Sequence, residues 1–292
     1  MNIYDQVSWN KTKSYIIIFI FIIFISSLGI FLGWLYGSYI LGFIVFTIAA
    51  VIYSIIAWIE GSNIILKATG AREVTKAEYP HLFHAIEGLS IAAAIPIPKA
   101  YVIDDESLNA FATGKDPKNA SITVTTGLLK KLNRQELEGV VAHEMSHIKN
   151  YDIRIMLFSV VMIGMTILLS HIILRSFLFS DRDRENNNFT IIIIVVGIIL
   201  AVLAPFIAEL MKLAISRKRE YLADANGALL TRNPEGLASA LEKISEKSEL
   251  KKADKATAHL FIASPLKAKS FFSNLFSTHP PIDDRIKKLR SM

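Results

Sequence analysis

His143 and His147 stand four residues apart, and Glu144 directly follows the first of them. The segment Glu138-Gly-Val-Val-Ala-His143-Glu144-Met-Ser-His147-Ile is built of good helix formers without proline, and Asn133 precedes Glu136 as an N-cap. On a helix, positions i and i+4 share a face, so both imidazoles can bind one tetrahedral ion. Glu144 can then reach a water activated by that ion without being a ligand, which is the place of a general base. With 7 His and 15 Glu in the chain, the pattern arises by chance with a probability of roughly 0.01. The bland alternative is a pair of solvated or capping histidines. The apolar run Val140, Val141 and Ala142 speaks instead for a helix with a buried face.

A catalytic zinc site takes three protein ligands and keeps one position open. The chain has no cysteine, so the third ligand must be another histidine or a carboxylate. A metzincin would place a glycine and a histidine shortly after the motif. Asn150 and Ile153 hold those positions, so the third ligand comes from a later element. The best candidate is Glu220 in Ser216-Arg-Lys-Arg-Glu220-Tyr-Leu-Ala-Asp224. Asp224 lies one turn further on the same helix face, where a carboxylate can accept the spare N–H of a ligating histidine. At this level, two ordinary surface carboxylates beside a basic run remain the alternative.

The elements that must bring these residues together are membrane spans. Hydrophobic residues make up 52% of the chain and charged residues 20%, with a mean hydropathy of +0.41. Ser14 to Ile59 is a stretch of 46 residues without Asp, Glu, Lys, Arg or His. About 20 apolar residues cross a bilayer, so two spans fit there, at about 14–36 and 38–59, with a hairpin around Gly33, Gly37 and Ser38. A third span reads from Ile155 to about Leu174 and a fourth from about Phe189 to Ser216, joined by an extracytoplasmic loop at about 180–188. Both ligand-bearing helices then continue out of the membrane, which accounts for the long separation of His147 from Glu220. Residues 60–154 carry 11 Lys and Arg and residues 217–292 carry 15, while the first hairpin carries none. The positive-inside rule therefore places both termini and both polar segments in the cytoplasm. The net charge of +6 is explained by this topology, and no nucleic-acid partner is required.

Three short strands are expected at Lys99–Ile103, Asn109–Thr113 and Ser121–Thr125, around the turn-rich 115–119. The alternating Glu and Lys of 245–255 read as a solvated face or loop, or as a gate beside the site.

Four spans, His-Glu-Met-Ser-His, Glu-Tyr-Leu-Ala-Asp and a late Thr278-His-Pro-Pro281 together resemble the HtpX heat-shock protease family, membrane relatives of the CAAX prenyl proteases. The similarity covers essentially the whole chain. It implies one zinc ion per chain, held by His143, His147 and Glu220, with Glu144 as base and Asp224 as partner of a ligating histidine. It also implies an active site facing the cytoplasm and quality control of unfolded or damaged membrane proteins under stress. It suggests Asn109, Ala110, Phe111 and Ala112 as the sheet edge that holds substrate, although Phe111 on an ordinary core strand is an equal reading. In such enzymes the Thr278 segment approaches the site, so His279 or Arg285 can stabilise an oxyanion, with Tyr221 as rival.

The expectation is thus a mainly α integral membrane protein of four transmembrane helices with a cytoplasmic α/β zincin-like (gluzincin) peptidase domain containing a small β-sheet. That domain is discontinuous, from residues 60–154 and 217–292, with the spans in 1–59 and 155–216. Two other functions stay open: a prenyl-protein protease, and a non-catalytic scaffold kept folded by zinc, against which the intact Glu144 argues. A transporter ranks lower, for want of paired charges at mid-membrane depth. Oligomeric state and cleavage preference are not written in the sequence.

Overall fold

A computed structural model describes residues 3–35, 37–178, 216–250, 257, 260–263, 265 and 280–292. The first two helices are α1 (Ile3–Leu35) and α2 (Tyr39–Ala68), joined at Gly37, whose φ of +82° suits a residue without a Cβ. Their backbones approach closely where Gly29 and Gly33 meet Gly42, so any side chain there would strike the facing helix. Among the described residues, Val7–Trp34 and Tyr39–Ala68 are long and apolar enough to cross a membrane. The hairpin expected around Gly37 is found, and α2 continues as helix for nine residues beyond Ile59.

Next come β1 (Arg72–Glu73), α3 (Pro80–Ala93), β2 (Lys99–Ile103), β3 (Ala110–Gly114), β4 (Ala120–Thr125) and the short α4 (Thr126–Lys131). The four strands form one mixed sheet in the order β1-β2-β4-β3. β2 and β4 run parallel, while β3 pairs antiparallel with β4, Ala110 opposite Val124 and Ala112 opposite Ile122. β3 is therefore an edge strand.

α5 (Arg134–Lys149) begins with a capping box: Asn133 Oδ1 accepts from the Glu136 N–H at 3.0 Å, and Glu136 Oε2 accepts from the Asn133 N–H at 2.8 Å. From Leu137 to Ile148 all residues but Glu138 are largely enclosed, because α5 is covered by β3, α3 and two later helices, α7 (Arg217–Thr231) and α8 (Pro234–Glu246). The chain closes with α9 (Ile282–Arg290) against α8 and α7.

α6 (Asp152–Leu178) covers the residues where a third span is expected and packs on α1 and α2. Trp58 stacks on Phe158 at 5.5 Å, and the Tyr53 hydroxyl donates to the Val161 carbonyl at 2.7 Å. One expectation is corrected here. The histidine helix does not run straight into the membrane: α5 and α6 meet at 82°. The cause is Tyr151, whose φ of +60° ends α5 in a left-handed conformation. Such a conformation costs a bulky residue about 1–3 kcal/mol and persists only where its surroundings hold it. The fourth expected span and the 180–188 loop lie outside the described residues.

Candidate metal centre

Small residues set the distance between the two helices that carry the site. Glu220, Asp224 and Gly227 share one face of α7, and that face lies on α5 at the histidines. A Cβ on Gly227 would stand 3.1 Å from the backbone nitrogen of His143, and one on Gly139 would stand 2.7 Å from the backbone nitrogen of Leu237 on α8. The glycines let α7 and α8 approach α5 nearly backbone to backbone, so that a side chain as short as glutamate reaches both rings.

The result is a buried cluster of three ligand-type groups, His143, His147 and Glu220. The two Nε2 atoms lie 3.1 Å apart, and the Glu220 oxygens lie 3.7 Å from His143 Nε2 and 3.6 Å from His147 Nε2. Donors held about 2.0–2.1 Å from one tetrahedral ion would be separated by about 3.3 Å, so the cluster is already near the spacing such an ion requires.

The other ring nitrogens decide the tautomers. His143 Nδ1 donates to Asp224 Oδ1 at 2.9 Å, and His147 Nδ1 donates to Asp152 Oδ2 at 3.0 Å. In their neutral forms both rings then carry the proton on Nδ1, which leaves the Nε2 lone pairs as the ones that converge. Asp224, expected as the partner of a ligating histidine, lies against His143 Nδ1. Asp152 was not foreseen. It starts α6, and the right-angled corner at Tyr151 is what turns it back onto His147. Arg285, fully buried, grips Asp224 with both arms, Nε to Oδ2 at 2.8 Å and Nη2 to Oδ1 at 2.7 Å. Its Nη1 lies 3.7 Å from Glu220 Oε2 and donates to the Ile262 carbonyl at 3.1 Å.

Charge balance points the same way as geometry. Four buried carboxylates, Glu144, Asp152, Glu220 and Asp224, face two guanidinium groups, Arg285 and Arg219, the latter 3.7 Å from Asp152. Among the described residues these carboxylates outnumber the guanidinium groups, and a divalent cation would offset the excess negative charge. The ionisations reflect it. Burial alone would depress protonation of His147, but the Asp152 hydrogen bond and the Glu220 charge outweigh burial and push it up to about 9. Burial would raise the Asp224 carboxyl, yet Arg285 and His143 hold it well below the usual carboxylate range.

Residues 76–292 match peptidase family M48. Curated relatives align along essentially the whole chain. A "Protease HtpX homolog" of Dictyoglomus thermophilum is 50% identical over 99% of this chain and 94% of its own length. One of Lactobacillus helveticus is 41% identical over 99% of this chain and all of its own. The chain belongs to peptidase family M48, among the HtpX proteases. Among solved structures, S. mikatae Ste24p shares the fold at a TM-score of 0.50 and 19% identity, covering 98% of this chain and 66% of that one. An M48 peptidase with two long apolar helices is a membrane metalloprotease, and its family implies a metal that the His143, His147 and Glu220 cluster fits.

The remaining residues singled out in this HtpX protease fall into place unequally. Glu144 is buried beside the cluster and accepts a backbone hydrogen bond from Ala112, while burial raises its carboxyl above the ordinary value. The outer edge of β3 is partly engaged already: the Ile262 N–H donates to the Ala110 carbonyl at 2.9 Å, and the Asn109 amide donates to the Ala263 carbonyl at 2.9 Å. Phe111 points inward, edge-on to Phe261 at 5.0 Å, and is fully buried. Tyr221 lies about 100° around α7 from Glu220, with the Lys288 ammonium 3.2 Å from its ring centre. His279 lies outside the described residues. Of 245–255, residues 247–250 leave α8 as backbone partners, Leu108 N–H to the Lys247 carbonyl at 2.7 Å and Leu250 N–H to Pro265 at 3.1 Å.

Proposed function

We propose that this M48 protease is a zinc endopeptidase of four spans and gluzincin type, working at the cytoplasmic face on unfolded or damaged membrane proteins. The observation that carries the chemistry is the convergence of the two Nε2 atoms on Glu220, with Glu144 buried one residue from the first histidine. When bound, zinc supplies Lewis acidity, which lowers the pKa of water and polarises a peptide carbonyl. His143, His147 and Glu220 would hold it. Asp224 and Asp152 keep the two rings turned with Nε2 inward.

Glu144 is the general base. Its raised pKa suits a group that takes a proton from the attacking water and later returns it to the leaving amine. The peptide lies extended along β3, recognised through main-chain groups, which suits substrates defined by being unfolded more than by their sequence. Since Ile262 and Ala263 already bond Ala110 and Asn109, substrate uses the edge beyond them or displaces them. Arg285, committed to Asp224 and the Ile262 carbonyl, is a better support for this framework than Tyr221, whose ring is covered by Lys288. The cytoplasmic orientation rests on the basic residues of 60–154 and 217–292.

The test compares wild type with Glu144→Ala, each purified in detergent under chelator and reloaded with zinc, on casein. Zinc-dependent cleavage by wild type alone establishes the peptidase and its base. Equal behaviour of the two, with zinc bound in both, would replace the enzyme by a zinc-stabilised scaffold.

A further inference from the structure

Asn10 lies on α1 just before the uncharged stretch that starts at Ser14, and it is buried. Its side-chain nitrogen carries two hydrogens, and both are committed to the corner that follows the histidine helix. One goes to the Asn150 carbonyl at 2.8 Å and the other to Asp152 Oδ1 at 2.8 Å. The second oxygen of Asp152 is the one that accepts from His147. One residue further along α1, the Lys11 ammonium sits 4.3 Å from the centre of the Tyr151 ring. Thus Asn10 holds Asn150 and Asp152 while Lys11 covers Tyr151, two adjacent residues of a helix that lies 140 positions earlier in the chain. The middle one has the positive φ that needs holding.

We propose that Asn10 is a positioning residue for the metal centre, acting through Asp152 on the ring of His147, so that the first membrane helix completes the site it anchors. The proposal rests on reading His143, His147 and Glu220 as the metal ligands. A carboxylate at the start of a helix can rotate and offer either oxygen. With Oδ1 taken by Asn10 and flanked by Arg219, Oδ2 faces the His147 N–H. A ring whose N–H is fixed in direction presents its lone pair at a fixed angle and in the binding tautomer. Direct partners of ligating histidines are worth about 10–100-fold in metal affinity, and Asn10 acts one link further out.

The experiment measures zinc affinity of the full-length protein in detergent by competition with a chelating dye, and the ligand-field absorption of its cobalt(II) form. Asn10→Leu keeps the bulk of the side chain and deletes its donors. It is made alone and in an Asp152→Ala background, with the Tm of each metal-free protein recorded. The expected result is zinc binding weakened about tenfold by Asn10→Leu in the wild-type background, with an altered cobalt band, and no further weakening once Asp152 is gone. Unchanged affinity, or equal weakening in both backgrounds, overturns the proposal and leaves Asn10 a packing residue. If Asn10→Leu does not fold, as its Tm would reveal, Asn10→Ala is read by the same criteria. A wild type that binds no zinc would remove the metal-ligand reading itself, and this proposal with it.

Discussion

Arg285 and Asp224 face each other as a two-armed ion pair in which neither residue is open to solvent: 2.8 Å from Nε to one carboxylate oxygen and 2.7 Å from Nη2 to the other. Asp224 in turn holds His143. Deleting one partner of a buried pair leaves a charge without compensation, at a cost of about 3–5 kcal/mol. Arg285→Ala should therefore lower the stability of the metal-free protein by that amount in urea unfolding, and weaken zinc binding as Asp224 loses its direction. Arg285→Lys should recover little, because one ammonium cannot fill both arms of the fork.

The approach of α7 to α5 is set at Gly227, and this is open to a direct check. An added Cβ would meet the His143 backbone at 3.1 and 3.3 Å, tight enough that the helices must separate by a few tenths of an ångström. Gly227→Ala should cost about 1–3 kcal/mol of stability and, more tellingly, weaken zinc binding by moving Glu220 away from the histidines. Gly88 on α3 has open space around it. Gly88→Ala should gain up to about 1 kcal/mol from helix propensity alone and leave zinc affinity unchanged. Equal zinc affinities in the two variants would show that α7 is not spaced by Gly227.

Local chemistry made the core of the site legible. The spacing of His143, Glu144 and His147 states a helix face, the Asn133 cap states where that helix begins, and the three strand windows coincide with β2, β3 and β4 to within a residue. What could not be read depends on where the chain goes after a local element ends. Asp152 lies only five residues past His147, yet its role exists because Tyr151 adopts a positive φ and folds α6 back. Tyrosine gives no local warning of that. Arg285 was named through the family resemblance as an oxyanion candidate, but its pairing with Asp224 across 61 positions was not foreseen, and neither was Asn10, which meets Asp152 across 142. No periodicity reports such distances. The Glu220 helix was identifiable by its carboxylate pair, whereas its closeness to α5 is the work of glycines that look unremarkable in sequence.

Glu136 offers a test by pH away from the metal. It closes the α5 capping box and also accepts from Ser239 Oγ at 2.7 Å and Lys243 Nζ at 2.8 Å, so it ties α5 to α8. Burial would raise its carboxyl, but Lys243, Ser239 and Asn133 outweigh burial and lower it below the ordinary 4.5. A depressed folded-state value contributes stability that is present above about pH 4.5 and is lost as pH falls through the lower folded value. Glu136→Gln should cost about 1–2 kcal/mol at neutral pH, and its Tm deficit against wild type should shrink as the pH is lowered from 5 to about 3. A deficit constant across that range would mean that the charge of Glu136 does not matter.

Orientation can be settled with single cysteines, because the chain has none of its own and every label reports the introduced site. Lys118 is exposed in the turn between β3 and β4, on the polar segment that carries the basic excess, and Ser38 is exposed in the hairpin that carries no charge. With the positive segments cytoplasmic, a membrane-impermeant maleimide added to intact cells should label Ser38→Cys and spare Lys118→Cys until the membrane is permeabilised. The reverse pattern would put the metal centre outside the cytoplasm. Casein cleavage by each variant, measured alongside, confirms that the labelled protein is the folded enzyme. Both residues are exposed on the protein, so burial within it does not produce opposite labelling, and the pattern reads the side of the bilayer.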